Sequence, residues 1–167
     1  FRRVLFRSIP FEEQSAMLAT NKKSYNNVLR LKYDLGNQSS IGVFASDRRF
    51  EEQGSNTVAA VDASMRLSET YTLTGIAAVT RTEELDDEEL SASVGTGRFE
   101  VNGDLHSNAL DGESFMGTLL RARLDRMSRT WISTLAFQDF SPGFRADNGF
   151  ISSNSYRNID LDRKSVV

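Results

Sequence analysis

Apolar and polar residues alternate with a period of two along most of the chain. In residues 118–125, for example, Leu120 and Leu124 alternate with Arg121 and Arg123. Successive side chains of a β-strand point to opposite faces, so this pattern predicts a strand with one apolar face and one charged face. The same design predicts six long strands and up to two weak ones. The long strands are 27–35, 40–48, 57–67, 71–82 and two within 115–150; the weak ones are a brief alternation at 98–104, interpreted as a hairpin extension or a long loop, and a short strand near Tyr156.

The lengths of these strands and of the connections between them favour a membrane barrel. The first four are nine to twelve residues long, which exceeds the five or six residues usual in soluble sheets and matches a tilted span of a bilayer. Short turns at Gly36 and Ser68 alternate with longer connections at 49–56 and 83–113, as in outer-membrane barrels. We therefore predict an all-β, antiparallel, up-and-down meander that forms part of an outer-membrane β-barrel. Because about eight strands are the minimum for such a barrel, we expect a fragment that does not close.

The two ends of the chain differ in character from the rest. Residues 1–8 (FRRVLFRS) and 163–167 (RKSVV) resemble translated sequencing-adapter read-through, so both are interpreted as non-native and residues 9–162 as the barrel domain. These ends hold five of the 20 basic residues and none of the 23 acidic ones, which leaves 15 basic against 23 acidic groups, a net charge of −8. That balance argues against a nucleic-acid partner.

The composition and the motif content argue against several other classes of protein and of functional site. The chain has no cysteine, which excludes a disulfide scaffold and a thiolate metal site. No apolar run exceeds four residues, so no stretch can form a transmembrane helix, whereas membrane-spanning strands need only alternating apolar residues. No catalytic motif of the nucleophile-elbow, zinc-protease or phosphate-loop type occurs. The sequence therefore predicts no catalytic residue, no metal site and no cofactor.

Two stretches resemble a known family. Arg30–Gly42 (RLKYDLGNQSSIG) and Asp139–Ile151 (DFSPGFRADNGFI) are similar to the C-terminal β-barrel region of an uncharacterised bacterial family of outer-membrane proteins. The resemblance covers about residues 24–158 and implies a location in the bacterial outer membrane, with membrane lipid as partner. Members often carry an N-terminal domain like a carbohydrate-binding module, which has no counterpart here, so any carbohydrate contact is implied only through a missing domain. The resemblance carries over no catalytic residues.

The strand pattern divides charged from apolar side chains. On one face it predicts a lumen-facing row of mixed charge, which is interpreted as cross-strand ion pairing that fills a polar barrel interior. A pore lining, or a site for an anionic or sugar ligand, is the alternative. This row comprises Arg30, Lys32, Asp34, Arg48, Asp62, Arg66, Arg121, Arg123 and Asp125. The predicted lipid-facing set on the other face comprises Leu29, Leu31, Val61, Ala63, Met65, Leu73, Leu120, Leu124, Leu135 and Phe137.

Three further features have an ordinary interpretation. The acidic cluster 83–89 lacks the spaced Asp/Asn pattern of a Ca²⁺ loop and is predicted to be a solvated external loop. His106 has no second histidine or cysteine with which to share a metal, and is predicted to be exposed in a loop. The aromatic loop 139–149, with Phe140 and Phe144, is predicted to anchor a strand end at the lipid headgroups, with a plug-contacting loop as the alternative.

The function predicted from the sequence is that of a membrane anchor or passage for a cell-surface protein linked to carbohydrate binding or uptake. A soluble β-sandwich or ligand-binding barrel is the alternative from another class, because the same alternation also suits a sheet with an apolar interior. A surface glycoside hydrolase is a third hypothesis. It requires two carboxylates about 5 to 9.5 Å apart, and the candidates are Asp139, Asp147, Asp160 and Asp162.

Overall fold

The fold consists of one large antiparallel sheet and one small hairpin. The computed structural model describes residues 23–51, 53–88, 91–92, 97–148 and 153–165. The strands are β1 (Ser24–Gly36), β2 (Ser39–Phe50), β3 (Ser55–Arg66), β4 (Tyr71–Glu83), β5 (Arg98–Val101), β6 (Asp104–Ser107), β7 (Ser114–Met127), β8 (Trp131–Phe140) and β9 (Tyr156–Ser165).

Seven of these strands form a meander. Their order in the sheet is β1-β2-β3-β4-β7-β8-β9, and every neighbouring pair is antiparallel. β5 and β6 pair only with each other, within the connection from β4 to β7. The sheet is not closed, since β1 and β9 each have one strand neighbour. The predicted all-β, antiparallel, up-and-down meander is therefore confirmed, and so is the expectation that it does not close.

The observed strands are longer than the predicted ones. β1 and β2 gain residues at both ends, so the connection between β2 and β3 shrinks from the predicted 49–56 to 51–54. The strand near Tyr156, predicted to be short, is the ten-residue β9. Residues 163–165 continue β9 and pair with β8, whereas residues 1–8 lie outside the described part of the chain.

Short and long connections lie at opposite edges of the large sheet. At the short-turn edge, residues 37–38, 67–70 and 128–130 connect the strands; at the loop edge, residues 51–54, 84–113 and 141–155 do so. The tightest turn places Asn37 at φ 49° and Gln38 at φ 57°. Positive φ at both central residues is the twist that suits a two-residue hairpin, and asparagine tolerates it well.

The two faces of the large sheet are buried to different degrees. We call them the apolar face and the loop face, the second because residues 141–148 lie on it. Among the described residues, all buried apolar side chains contributed by the large sheet belong to the loop face: Phe50, Val58, Ala60, Ala78, Phe115, Leu119 and Phe140. The interior of this molecule therefore lies between the loop face and the connections that fold over it.

The connection after β8 turns back over β7. Ser141 and Thr118 exchange two hydrogen bonds, Ser141 N to Thr118 O at 2.9 Å and Thr118 N to Ser141 Oγ at 2.7 Å. Phe144 then packs edge-on against Phe140, with ring centroids 5.7 Å apart. A Cβ atom at Gly117 would overlap the backbone of residues 143 and 144. The loop can therefore cross β7 this closely only because residue 117 has no side chain.

Replacing Gly117 by alanine should weaken the fold. The added methyl group meets backbone rather than a flexible side chain, and such overpacking costs roughly 1–3 kcal/mol. Gly75→Ala is the matched control, because it also changes a strand glycine but places its Cβ 3.5 Å from the Arg121 carbonyl oxygen, an ordinary contact. Urea unfolding followed by tryptophan fluorescence should show a lower midpoint for G117A alone. Equal midpoints for the two variants would contradict the close crossing.

Candidate functional site

The apolar face is the largest candidate surface. Cross-strand pairing places Leu31, Val43, Val61, Ala77 and Leu120 in one row across five strands. All ten residues predicted to face lipid lie on this face, and seven of them are exposed, whereas Ala63, Leu124 and Phe137 are half-buried. Leu31 is 56% exposed and Val61 51%. That lipid rather than water contacts this face stays a prediction.

The apolar face is as large as the largest apolar patches of soluble proteins, which are often functional. Seven strands at about 4.8 Å spacing give a width of about 30 Å, and the run from Leu73 to Val79 along β4 spans about 20 Å. The product is roughly 600 Å², which is at the upper end of the largest apolar patch on a typical soluble monomer. The face is therefore a candidate interaction surface.

Aromatic and basic side chains border the apolar face at the short-turn edge. Arg126 is the cross-strand partner of Tyr71, and its Cζ lies 3.9 Å from the ring centroid of Trp131 and 5.7 Å from that of Tyr71. Arg163 lies 4.8 Å from the same tryptophan ring. Such distances are those of cation–π contacts.

Polar groups border the apolar face at the loop edge. Asp47 accepts hydrogen bonds from Thr57 Oγ1 at 2.7 Å and from Arg49 Nε at 2.9 Å. Asp139 forms an ion pair with Arg157 at 2.6 Å on the same face of β8 and β9. The apolar residues thus form a band with a polar border at each edge.

The nine residues of the predicted charged row all lie on the loop face, and several are paired there. Arg30 reaches across Gly42 to form a two-pronged ion pair with Asp62, in which Nη2 lies 2.9 Å from Oδ1. On β7, Arg123 Nε donates to Asp125 at 2.7 Å, and Thr134 donates to the same carboxylate at 2.6 Å. Arg30–Asp62 thus pairs across strands, whereas Arg123–Asp125 lies within β7, so the interpretation of the whole row as cross-strand ion pairing stays a prediction.

The other arginines of the row contact different partners. Arg48 donates to the carbonyl oxygen of Asp147 at 3.4 Å and lies over the Phe50 ring. Arg66 donates to Gln38 and to two carbonyl oxygens of the 67–70 turn. Arg121 lies between Ile76 and Gln138 of the adjacent strands, and within the described ranges it forms no ion pair.

A buried ion cluster fixes the loop to the sheet. Arg145 contacts Asp147 at 2.6 Å and Glu84 at 3.4 Å, and all three side chains are almost fully buried. Asn56, on β3, donates to the Arg145 carbonyl oxygen at 3.1 Å and accepts from Asp147 N at 3.0 Å. The members of this cluster lie far apart in the chain, so it was not predicted. Asn56 lies on the same face of β3 as Val58 and Ala60, so the apolar–polar alternation gives no signal of it.

Burial raises the pKa of Glu84 to about 8. The Arg145 guanidinium opposes this shift, whereas the charges of Asp111, Glu113 and Asp147 add to it. Arg145 lies closer to Asp147 than to Glu84, so burial outweighs its attraction for the second carboxylate. Near neutral pH, Glu84 is therefore mainly protonated.

Three predictions about individual residues are wrong. Phe140 and Phe144 do not point toward a lipid surface, because both are buried in the cluster on the loop face. His106 is not an exposed loop residue: it lies in β6 against the rings of Phe99 and Phe115 and hydrogen-bonds Glu113 at 3.0 Å. In each case the side chain packs against residues of other strands. The local sequence pattern does not encode such contacts, so it predicted an exposed side chain.

The acidic cluster 83–89 is only partly solvated. Glu83, Asp86 and Glu88 are exposed, as predicted, but Glu84 is buried against Arg145; Glu89 lies outside the described residues. The four aspartates proposed for glycoside hydrolysis are not gathered in one cleft. Asp139 lies on the apolar face, Asp160 and Asp162 lie on the loop face of β9, and Asp147 is in the buried ion cluster.

Glu84→Gln should remove part of the pH dependence of stability. The folded protein retains a proton on Glu84 up to a pKa of about 8, whereas the unfolded chain loses it near the ordinary value for glutamate, about 4.3. The contribution of Glu84 to the free energy of unfolding is therefore largest below the pKa of the unfolded chain. It falls as pH rises from that value toward 8, by about 1.4 kcal/mol per pH unit. Urea unfolding between pH 5 and pH 8 should show a flatter slope for E84Q. Glu83→Gln, at the adjacent exposed position, is the control and should keep the wild-type slope.

Among the described residues, no helix is long and apolar enough to cross a membrane. The same part of the chain contains no group of three or more His, Cys, Asp or Glu side chains placed to hold a metal ion. No protein-family model matches the chain, and neither the curated proteins nor the solved structures include a match.

Proposed function

We propose that this chain is a segment of an outer-membrane β-barrel in which the apolar face contacts lipid. The observation that carries the proposal is the exposed apolar band across seven strands, bordered by Tyr71, Trp131 and Arg126 at one edge and by charged groups at the other. On β4 the apolar run from Leu73 to Val79 is flanked by Tyr71 and Arg81. The ten residue steps between these two flanking residues, at 3.3 Å each and tilted by about 40°, give a height of about 25 Å, which is the height of the apolar band between the borders of such barrels.

Anchoring is the favoured role within that proposal. In a barrel the loop face would line the interior, and at the loop edge the ion cluster of Arg145 and the hairpin β5–β6 cover it. A covered interior suits an anchor better than an open passage. Membership of the outer-membrane family, and a link to carbohydrate binding or uptake, rest on the sequence resemblance of 30–42 and 139–151 alone.

A charge at the centre of the apolar face should prevent stable membrane association. Ala77 lies in the middle of that face, and an arginine at a lipid-facing position near the bilayer centre costs roughly 2–4 kcal/mol. We expect A77R to lower the fraction of the 167-residue chain that floats with lipid vesicles by about 30-fold or more. Thr74→Arg introduces the same charge on the loop face of the same strand and should float like the wild type. Equal flotation of the two variants would favour the soluble sandwich or ligand-binding barrel.

Trp131 provides a native measure of depth, because it is the one tryptophan of the chain. If the short-turn edge lies at the membrane interface, its indole should be close to the lipid headgroups. Lipids brominated near the headgroup should quench its fluorescence more than lipids brominated near the end of the acyl chain. Stronger quenching by the deeper bromines, or none by either, would contradict this orientation of the band.

A further inference from the structure

Arg126 combines a fixed guanidinium with unused hydrogen-bond donors. The plane of Trp131 supports it at 3.9 Å and Tyr71 borders it at 5.7 Å. Its Nε and Nη1 atoms are inaccessible to solvent and have no hydrogen-bond partner within the described part of the chain. No carboxylate neutralises this arginine in the same ranges, in contrast to Arg30 and Arg123 on the loop face.

The position of Arg126 specifies the kind of anion that fits. It lies on the apolar face, at the edge where that face meets the short turns. An anion that reaches it must therefore lie beside an apolar surface, which is the arrangement of a phosphate group joined to acyl chains. Guanidinium groups bind phosphate oxygens through their N–H donors. Because Arg126 Nε and Nη1 are shielded from solvent, a phosphate reaches them only when the side chains around Arg126 move.

We infer that Arg126, supported by Trp131 and Tyr71, binds the phosphodiester of an anionic phospholipid. The inference rests on the proposed function, since it requires that lipid covers the apolar face. Arg163 also contacts the tryptophan ring, at 4.8 Å, but it belongs to the segment interpreted as non-native. The site is therefore assigned to Arg126 alone.

The test compares two kinds of vesicle and two nearby arginines: Arg126 at the end of β7, and Arg129 in the turn that follows. The full chain is bound to vesicles of phosphatidylcholine alone and to vesicles that also contain phosphatidylglycerol. Wild-type protein should bind the anionic vesicles more tightly, and R126Q should reduce that preference by clearly more than about five-fold, the effect of one basic residue at a membrane surface. Arg129→Gln removes the same charge from an exposed position in the 128–130 turn and should reduce the preference by no more than about five-fold.

The outcomes separate this inference from the proposed function. Failure of wild-type protein to bind phosphatidylcholine vesicles counts against the lipid-facing role of the apolar face, and with it against this site. Normal binding to those vesicles, with an equal loss of preference in R126Q and R129Q, would overturn the site alone, since general charge attraction would then explain the preference. Displacement by inorganic phosphate at matched ionic strength would also overturn it, because the ligand would then be free phosphate.

A second variant covers the case in which R126Q does not fold. R126K keeps the charge but loses the planar group that stacks on indole and donates in pairs. Its preference for phosphatidylglycerol should be lower than that of the wild type. A preference equal to that of the wild type would contradict the geometry assigned here.

Discussion

The close crossing of the 141–148 loop over Gly117 determines which face of the sheet becomes the interior. Because residue 117 has no side chain, Phe144 reaches the row of Ala60, Ala78 and Leu119 and covers it. No described residue covers the opposite face of the sheet, although that face carries more large apolar side chains. The exposed apolar band is thus a consequence of where the loop lies, as much as of the alternating pattern.

The polar groups under the loop give its position specificity rather than simple stability. A buried ion pair seldom repays the cost of removing its charges from water, but loss of one partner is costly. Arg145 meets two carboxylates, and protonation of Glu84 lowers the net charge that must be buried with it. Asn56 adds a donor and an acceptor to the loop backbone on either side of Ala146. Other placements of the loop would leave these groups without partners, so the cluster favours one register.

The sequence predicted the strands well because period-two alternation is a local property. It assigned Arg121 and Leu120 to opposite faces correctly, and the register of seven strands then extends that division across the sheet. Connections are different, because their positions depend on contacts distant in the chain. Phe144 meets Phe140 and Leu119, and Glu84 meets Arg145, 61 residues away. The same limit explains His106, whose aromatic neighbours Phe99 and Phe115 come from separate strands.

The two outermost strands of the sheet, β1 and β9, add a constraint on any membrane role. Within the described ranges, β1 and β9 each leave one row of backbone N–H and C=O groups without a strand partner, and in hydrocarbon each such group costs several kcal/mol. Water satisfies these groups in a soluble sheet, so the same open edges are tolerable there. If the apolar face meets lipid, both edges must therefore pair with strands from outside this seven-stranded sheet, and further copies of the chain are one source of such strands when it is bound to vesicles alone. Lipid contact and closure thus depend on each other: the band that favours a membrane also demands the partners that complete a barrel.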